Sequence, residues 1–112
     1  MRSYECVFIL KAALDESEVE NQINSLKEIV TSRGGEIQKK DIWGKRRLAY
    51  DIDGNAEGIY VLVYFTGNNE ILDEVRRVFR YNDQVIRHMI VLNENPDIVK
   101  PEVSETETAG GI

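Results

Sequence analysis

The sequence predicts an α+β fold of β-α-β-β-α-β order, a four-stranded antiparallel sheet with two helices on one face. Three observations carry that expectation. Four short runs rich in β-branched and aromatic residues are set apart by polar or glycine-bearing turns. Two segments repeat apolar residues at helical spacing behind capping residues. Only residues 53–57, opening with the turn Asp53-Gly54-Asn55, separate the second and third β runs, which leaves no room for a crossover helix and makes them a hairpin.

Ser3 to Leu10 (SYECVFIL) is the first strand, bounded by a polar turn. Asp15 sits three residues before Glu18, a carboxylate form of the capping box, and opens the first helix. Val19, Ile23, Leu26 and Val30 form its single apolar stripe. Gly34-Gly35 ends it by supplying the positive φ that a helix C-terminus favours. Glu36 to Ile52 reads as one long strand, interrupted at Gly44, where an isolated glycine predicts a bulge or bend. Gly58 to Thr66 (GIYVLVYFT) is the most strongly β-prone segment. The Gly67-Asn68-Asn69 segment then caps a second helix running to Tyr81, with a stripe of Leu72, Val75, Val78 and Phe79. Its acids Glu70, Asp73 and Glu74 come early and Arg76, Arg77 and Arg80 late, as the helix dipole prefers. Asn82-Asp83 breaks it, and Val85 to Leu92 is the last strand. This order is the split βαβ, or ferredoxin-like, arrangement.

With both helices on one face, the other is expected to be open. On it the alternation places Val7 and Ile9 beside Tyr60, Leu62 and Tyr64. An exposed apolar patch of that kind marks a protein-partner surface, although central strands can also be apolar on both sides for packing alone.

A length of 112 residues fits one domain with a self-sufficient core. No apolar run approaches the roughly 20 residues that span a bilayer, and no signal-like leader precedes the first strand, so no membrane association and a cytoplasmic location are expected. The single cysteine, Cys6, lies in an apolar strand and reads as a core residue. The single histidine, His88, has no second histidine or nucleophile to work with, so neither a metal site nor a catalytic triad is expected. No cofactor and no small-molecule substrate are implied.

Residues 94–112 differ in character, with both prolines, five acids, one lysine and no aromatic residue. That composition predicts a disordered acidic tail behind a domain spanning residues 1–93. The tail carries −4 of the formal net charge of −6, leaving the domain near −2. Within the domain the charge is uneven. Arg33, Lys39, Lys40, Lys45, Arg46 and Arg47 face only Glu36 and Asp41 between residues 33 and 50, a net +4. Flanked by Trp43 and Tyr50, such a strip suits phosphate contact with some stacking. Edge strands also carry cations simply to block aggregation, so charge alone leaves both readings open.

Three motifs resolve the choice. MRSYECVFIL, WGKRRLAYDI and FRYNDQVIRHMIV, taken in register over residues 1 to about 93, resemble the bacterial small-subunit ribosomal protein six family. The resemblance rests on the opening Met-Arg-x-Tyr-Glu strand, on Gly44, Arg46, Leu48, Ala49 and Tyr50, and on Asp83, Val85, Arg87 and Met89. It implies a ferredoxin-like fold that binds the central domain of small-subunit ribosomal RNA as a pair with small-subunit protein eighteen. By the same resemblance the RNA-facing residues are Arg2, Tyr4, Lys45, Arg46, Arg47, Tyr50 and Arg87. Lys39, Lys40 and the arginines of the second helix match none of the motifs and are not carried over.

Two other classes share this element order. An acylphosphatase-type enzyme needs an arginine and an asparagine around a phosphate-cradling loop, but here the first strand runs into Lys11-Ala-Ala-Leu14, without glycine. A metabolite-sensing regulatory module would bind a small ligand and dimerise, with no use for Lys45-Arg46-Arg47.

Overall fold

A computed structural model of the chain describes residues 1–93; the predicted tail, 94–112, lies outside the described residues. The elements are β1 (Arg2–Lys11), α1 (Glu16–Thr31), β2 (Ile37–Ile52), β3 (Asn55–Gly67), α2 (Asn69–Tyr81) and β4 (Val85–Leu92). All pairings are antiparallel in the order β2-β3-β1-β4, so the expected ferredoxin-like topology is the one observed.

Local chemistry sets the boundaries. The Asp15 carboxylate accepts from the Glu18 backbone N–H at 2.8 Å while the Glu18 carboxylate accepts from the Asp15 N–H at 3.1 Å, the reciprocal capping box the spacing predicted. Gly34, at φ +88°, ends α1 in the left-handed region. Asn68 caps α2 by accepting from the Ile71 N–H at 3.0 Å.

Strand order explains the composition of the strands. The central β1 and β3 are the apolar ones, whereas the edge strands β2 and β4 alternate exposed and half-buried positions. Tyr4, Cys6, Phe8 and Leu10 of β1, with Ile59, Val61, Val63 and Phe65 of β3, face the helices. There they pack against Val19, Ile23, Leu26 and Val30 of α1 and Ile71, Leu72, Val75 and Phe79 of α2.

The other face departs from expectation. Val7, Ile9, Tyr60, Leu62 and Tyr64 do lie on the helix-free side, but none is exposed: Tyr64 is 1% accessible and Leu62 and Ile9 are fully buried. Ile9 and Tyr60 form a second core with Leu48 and Ile52, which come from the distal half of β2, and Ile86 and Trp43 pack against it. Trp43 also packs against Val7, Leu62 and Tyr64. The β2–β3 hairpin therefore curls over the face that the helices leave free. On β4, Met89 and Val91 stay exposed on that side, at 43% and 46%.

Candidate nucleic-acid interface

The curl begins at Gly44. Ile42 pairs with Val61 and Gly44 with Tyr60, so Trp43 is an extra residue in β2, and Gly44 takes φ +86° to accommodate it. A Cβ at Gly44 would meet nothing within 4 Å, so glycine is needed there for its backbone freedom rather than for space. The bulge turns the Trp43 indole over the sheet, stacked on Tyr60 with ring centroids 6.1 Å apart and planes 11° from parallel. Its Nε1 donates to the Asp41 carboxylate at 3.2 Å.

Beyond the bulge the alternation separates the three cations. Leu48 and Ile52 point into the core on the helix-free side, and Arg46 and Tyr50, in phase with them, share that side. Lys45 and Arg47 point the other way. Lys45 pairs with Ile59 of the helix-side core and lines a cleft of about 470 Å³ together with Asp15, Glu16 and Glu20. Adjacent cations on one strand are thus divided between two faces.

A second bulge brings in Arg87. Ile9 pairs with Arg87 and Leu10 with Val85, so Ile86 is the additional residue in β4. Ile86 then packs on the helix-free side, out of phase with His88, whose partner Phe8 faces the helices. Arg87 shares the side of its partner Ile9, and its Nη1 donates to the Tyr50 hydroxyl at 3.1 Å. β2 and β4 are opposite edges, separated by three strand spacings or roughly 14 Å in a flat sheet. The Tyr50–Arg87 bond therefore pins the curled hairpin across the sheet. Tyr50 nonetheless remains 55% exposed.

The remaining predicted residues do not join this group. Arg2 pairs with Gly67 at the far end of β1, about 23 Å along the strand from the partner of Arg87. Tyr4 is 9% exposed in the helix-side core, its ring 5.8 Å from that of Phe65. A ring engaged there is not presented to a base. Trp43, which no family motif singled out beyond its place in WGKRRLAYDI, is the residue that organises the face. Its signal in the sequence was its position beside the bulge glycine.

Titration follows burial and partners. Burial pushes the Cys6 thiol well above its ordinary value, so it stays protonated inside the core. Burial lowers His88, and the nearby guanidinium groups of Arg76 and Arg80 lower it further. Among the described residues no group of three His, Cys, Asp or Glu could hold a metal ion.

A helix-backed antiparallel sheet whose other face carries a folded-over hairpin with a cationic, aromatic-edged strip defines an α+β binding domain. Residues 3–92 match the sequence profile described as Ribosomal protein S6. Small ribosomal subunit protein bS6 of Clostridium acetobutylicum is 46% identical over 91 residues, covering 81% of this chain and 96% of its own. The bS6 protein of Clostridium botulinum (strain 657) is 46% identical over 94 residues, covering 84% of this chain and all of its own. The crystal structure of 30S ribosomal protein S6 from Thermotoga maritima superposes with a TM-score of 0.78 at 31% identity, over 86% of this chain and 91% of that one. The chain belongs to the ribosomal protein S6 family and is a structural protein of the small ribosomal subunit, not an enzyme.

Proposed function

We propose that the chain binds the central domain of small-subunit ribosomal RNA and does so paired with small-subunit protein eighteen. The observation that carries this reading is the convergence of Arg46, Tyr50 and Arg87 on one face from opposite edges of the sheet. Two guanidinium groups suit phosphate oxygens, and an exposed tyrosine ring beside them suits a base or ribose. Lys45 and Arg47, on the other side of the same strand, flank the contact, and Arg2 is a separate, distal contact. Val7, Ile9, Tyr60, Leu62 and Tyr64 support the protein-partner surface from beneath, and the partner meets the apolar groups exposed beside them, Met89 and Val91.

The charge balance supports pairing. A domain near −2 lacks the broad basic field that makes isolated RNA binders tight. The test is equilibrium binding to a small-subunit ribosomal RNA transcript with and without protein eighteen. Weak binding alone and tight binding as a pair is the expected result. Nanomolar affinity of the lone chain at physiological salt would contradict the pairing.

A further inference from the structure

We propose that the C-terminal half of α2, beside the β4 edge, is a second contact for the RNA phosphodiester backbone, built from Arg76, Arg80 and Tyr81. It rests on the RNA-binding reading above and extends it to the helix side of the sheet.

Arg76 and Arg80 are one helical turn apart and share a face, and both lie close enough to His88 on β4 to influence its charge. The neighbouring Arg77 is already engaged: its Nε and Nη2 each donate to a Glu74 carboxylate oxygen at 2.8 Å. Arg76 reaches Asp73 only at 3.9 Å, with both side chains largely exposed, a pair too loose and solvated to cancel its charge. Among the described residues Arg80 pairs with no carboxylate.

Tyr81, which closes the helix, is 73% exposed. The helix dipole accounts for a cation in the last turn but not for a phenol ring held in water beside it. Tyr81 follows Arg80 directly and lies one turn from Arg77; a solvent-facing ring at the cationic end of a helix is a platform on which a base or ribose stacks. β4 is an edge strand with Arg87 on its helix-free face and His88, near Arg76 and Arg80, on its helix face. Cations thus flank the same edge from both sides, and an RNA strand following that edge meets them in succession.

His88 is the only histidine and serves as a built-in reporter. The charged groups facing it are Arg76 and Arg80 of α2; its other near neighbours, Phe8 of β1 and Phe79 of α2, are neutral. A phosphate seated on the two arginines offsets their charge, so His88 titrates at higher pH in the complex than in the free protein.

The experiment is binding of the full chain with protein eighteen to a small-subunit ribosomal RNA transcript, from about 50 to 200 mM salt, with NMR titration of the His88 ring protons. Arg76→Gln and Arg80→Gln are each expected to reduce the salt slope by roughly 0.7–0.9. Tyr81→Ala is expected to weaken binding at an unchanged slope, and His88 to shift up only in the complex. Thermal melts check that the variants fold, as their exposure predicts. Unchanged slopes together with an unshifted His88, while Arg46→Ala and Arg87→Ala still weaken binding, would overturn this contact and leave the helix-free strip standing. If no RNA binding depends on this chain, both readings fall.

Discussion

Leu48 and Arg46 are two residues apart on one strand and share a face, yet they carry different parts of the account. Leu48 is buried against Ile9, Ile52 and Tyr60, so Leu48→Ala is expected to cost about 2–5 kcal/mol of folding free energy in a denaturant series. Arg46→Ala should change the folding free energy by no more than about 0.5 kcal/mol and act on RNA binding instead. Tyr64 is only 1% exposed, so Tyr64→Ala is a stability mutation and a poor probe of partner contact. Met89→Ala is the better probe: it should weaken pairing with protein eighteen in calorimetry while the melting temperature holds. His88 supplies a pH dependence. Its folded pKa lies below the ordinary 6.5 of the unfolded chain, so on acidification the unfolded chain takes up the proton first. Stability is therefore full above about pH 6.5 and declines as pH drops from there toward the folded value; His88→Gln should flatten that segment of a melting-temperature profile.

At the scale of elements, the bulges decide which side chains meet. Gly44 at φ +86° permits the extra residue Trp43, and a side chain there is strained by about 1–2 kcal/mol. Gly44→Ala should lower stability by that amount and also loosen the Tyr50–Arg87 bond, seen as faster amide exchange along residues 45–52 than in the native chain. The first bulge was legible, because an isolated glycine inside a long strand has few other uses. The bulge at Ile86 was not, because neither glycine nor proline marks it. Tyr4 is instructive in the opposite sense. It is in phase with Cys6, Phe8 and Leu10, and the burial now seen follows that period rather than the RNA contact implied by resemblance.

For the whole molecule, strand order and layering followed from local signals that agree with one another: caps, apolar periods and a turn too short for a crossover. What local signals did not carry was the fate of the helix-free face. A hairpin closing over its own sheet is a tertiary event, driven by burial of Leu48, Ile52 and Trp43 against Ile9 and Tyr60, and no period in β2 encodes the direction of the curl. The curl leaves most of that face as core and narrows the proposed binding surface to Arg46, Tyr50 and Arg87, with Met89 and Val91 alongside. Lys45, beside carboxylates on the other side, becomes the internal control. The most direct measurement is the salt dependence of RNA binding by the chain paired with protein eighteen, for the native sequence, Arg46→Ala, Arg87→Ala and Lys45→Ala. Slopes shallower by roughly 0.7–0.9 are expected for each of the two arginine variants, with little change for Lys45→Ala. Equal slopes in all four proteins would contradict that expectation and reduce the strip to a solvated edge.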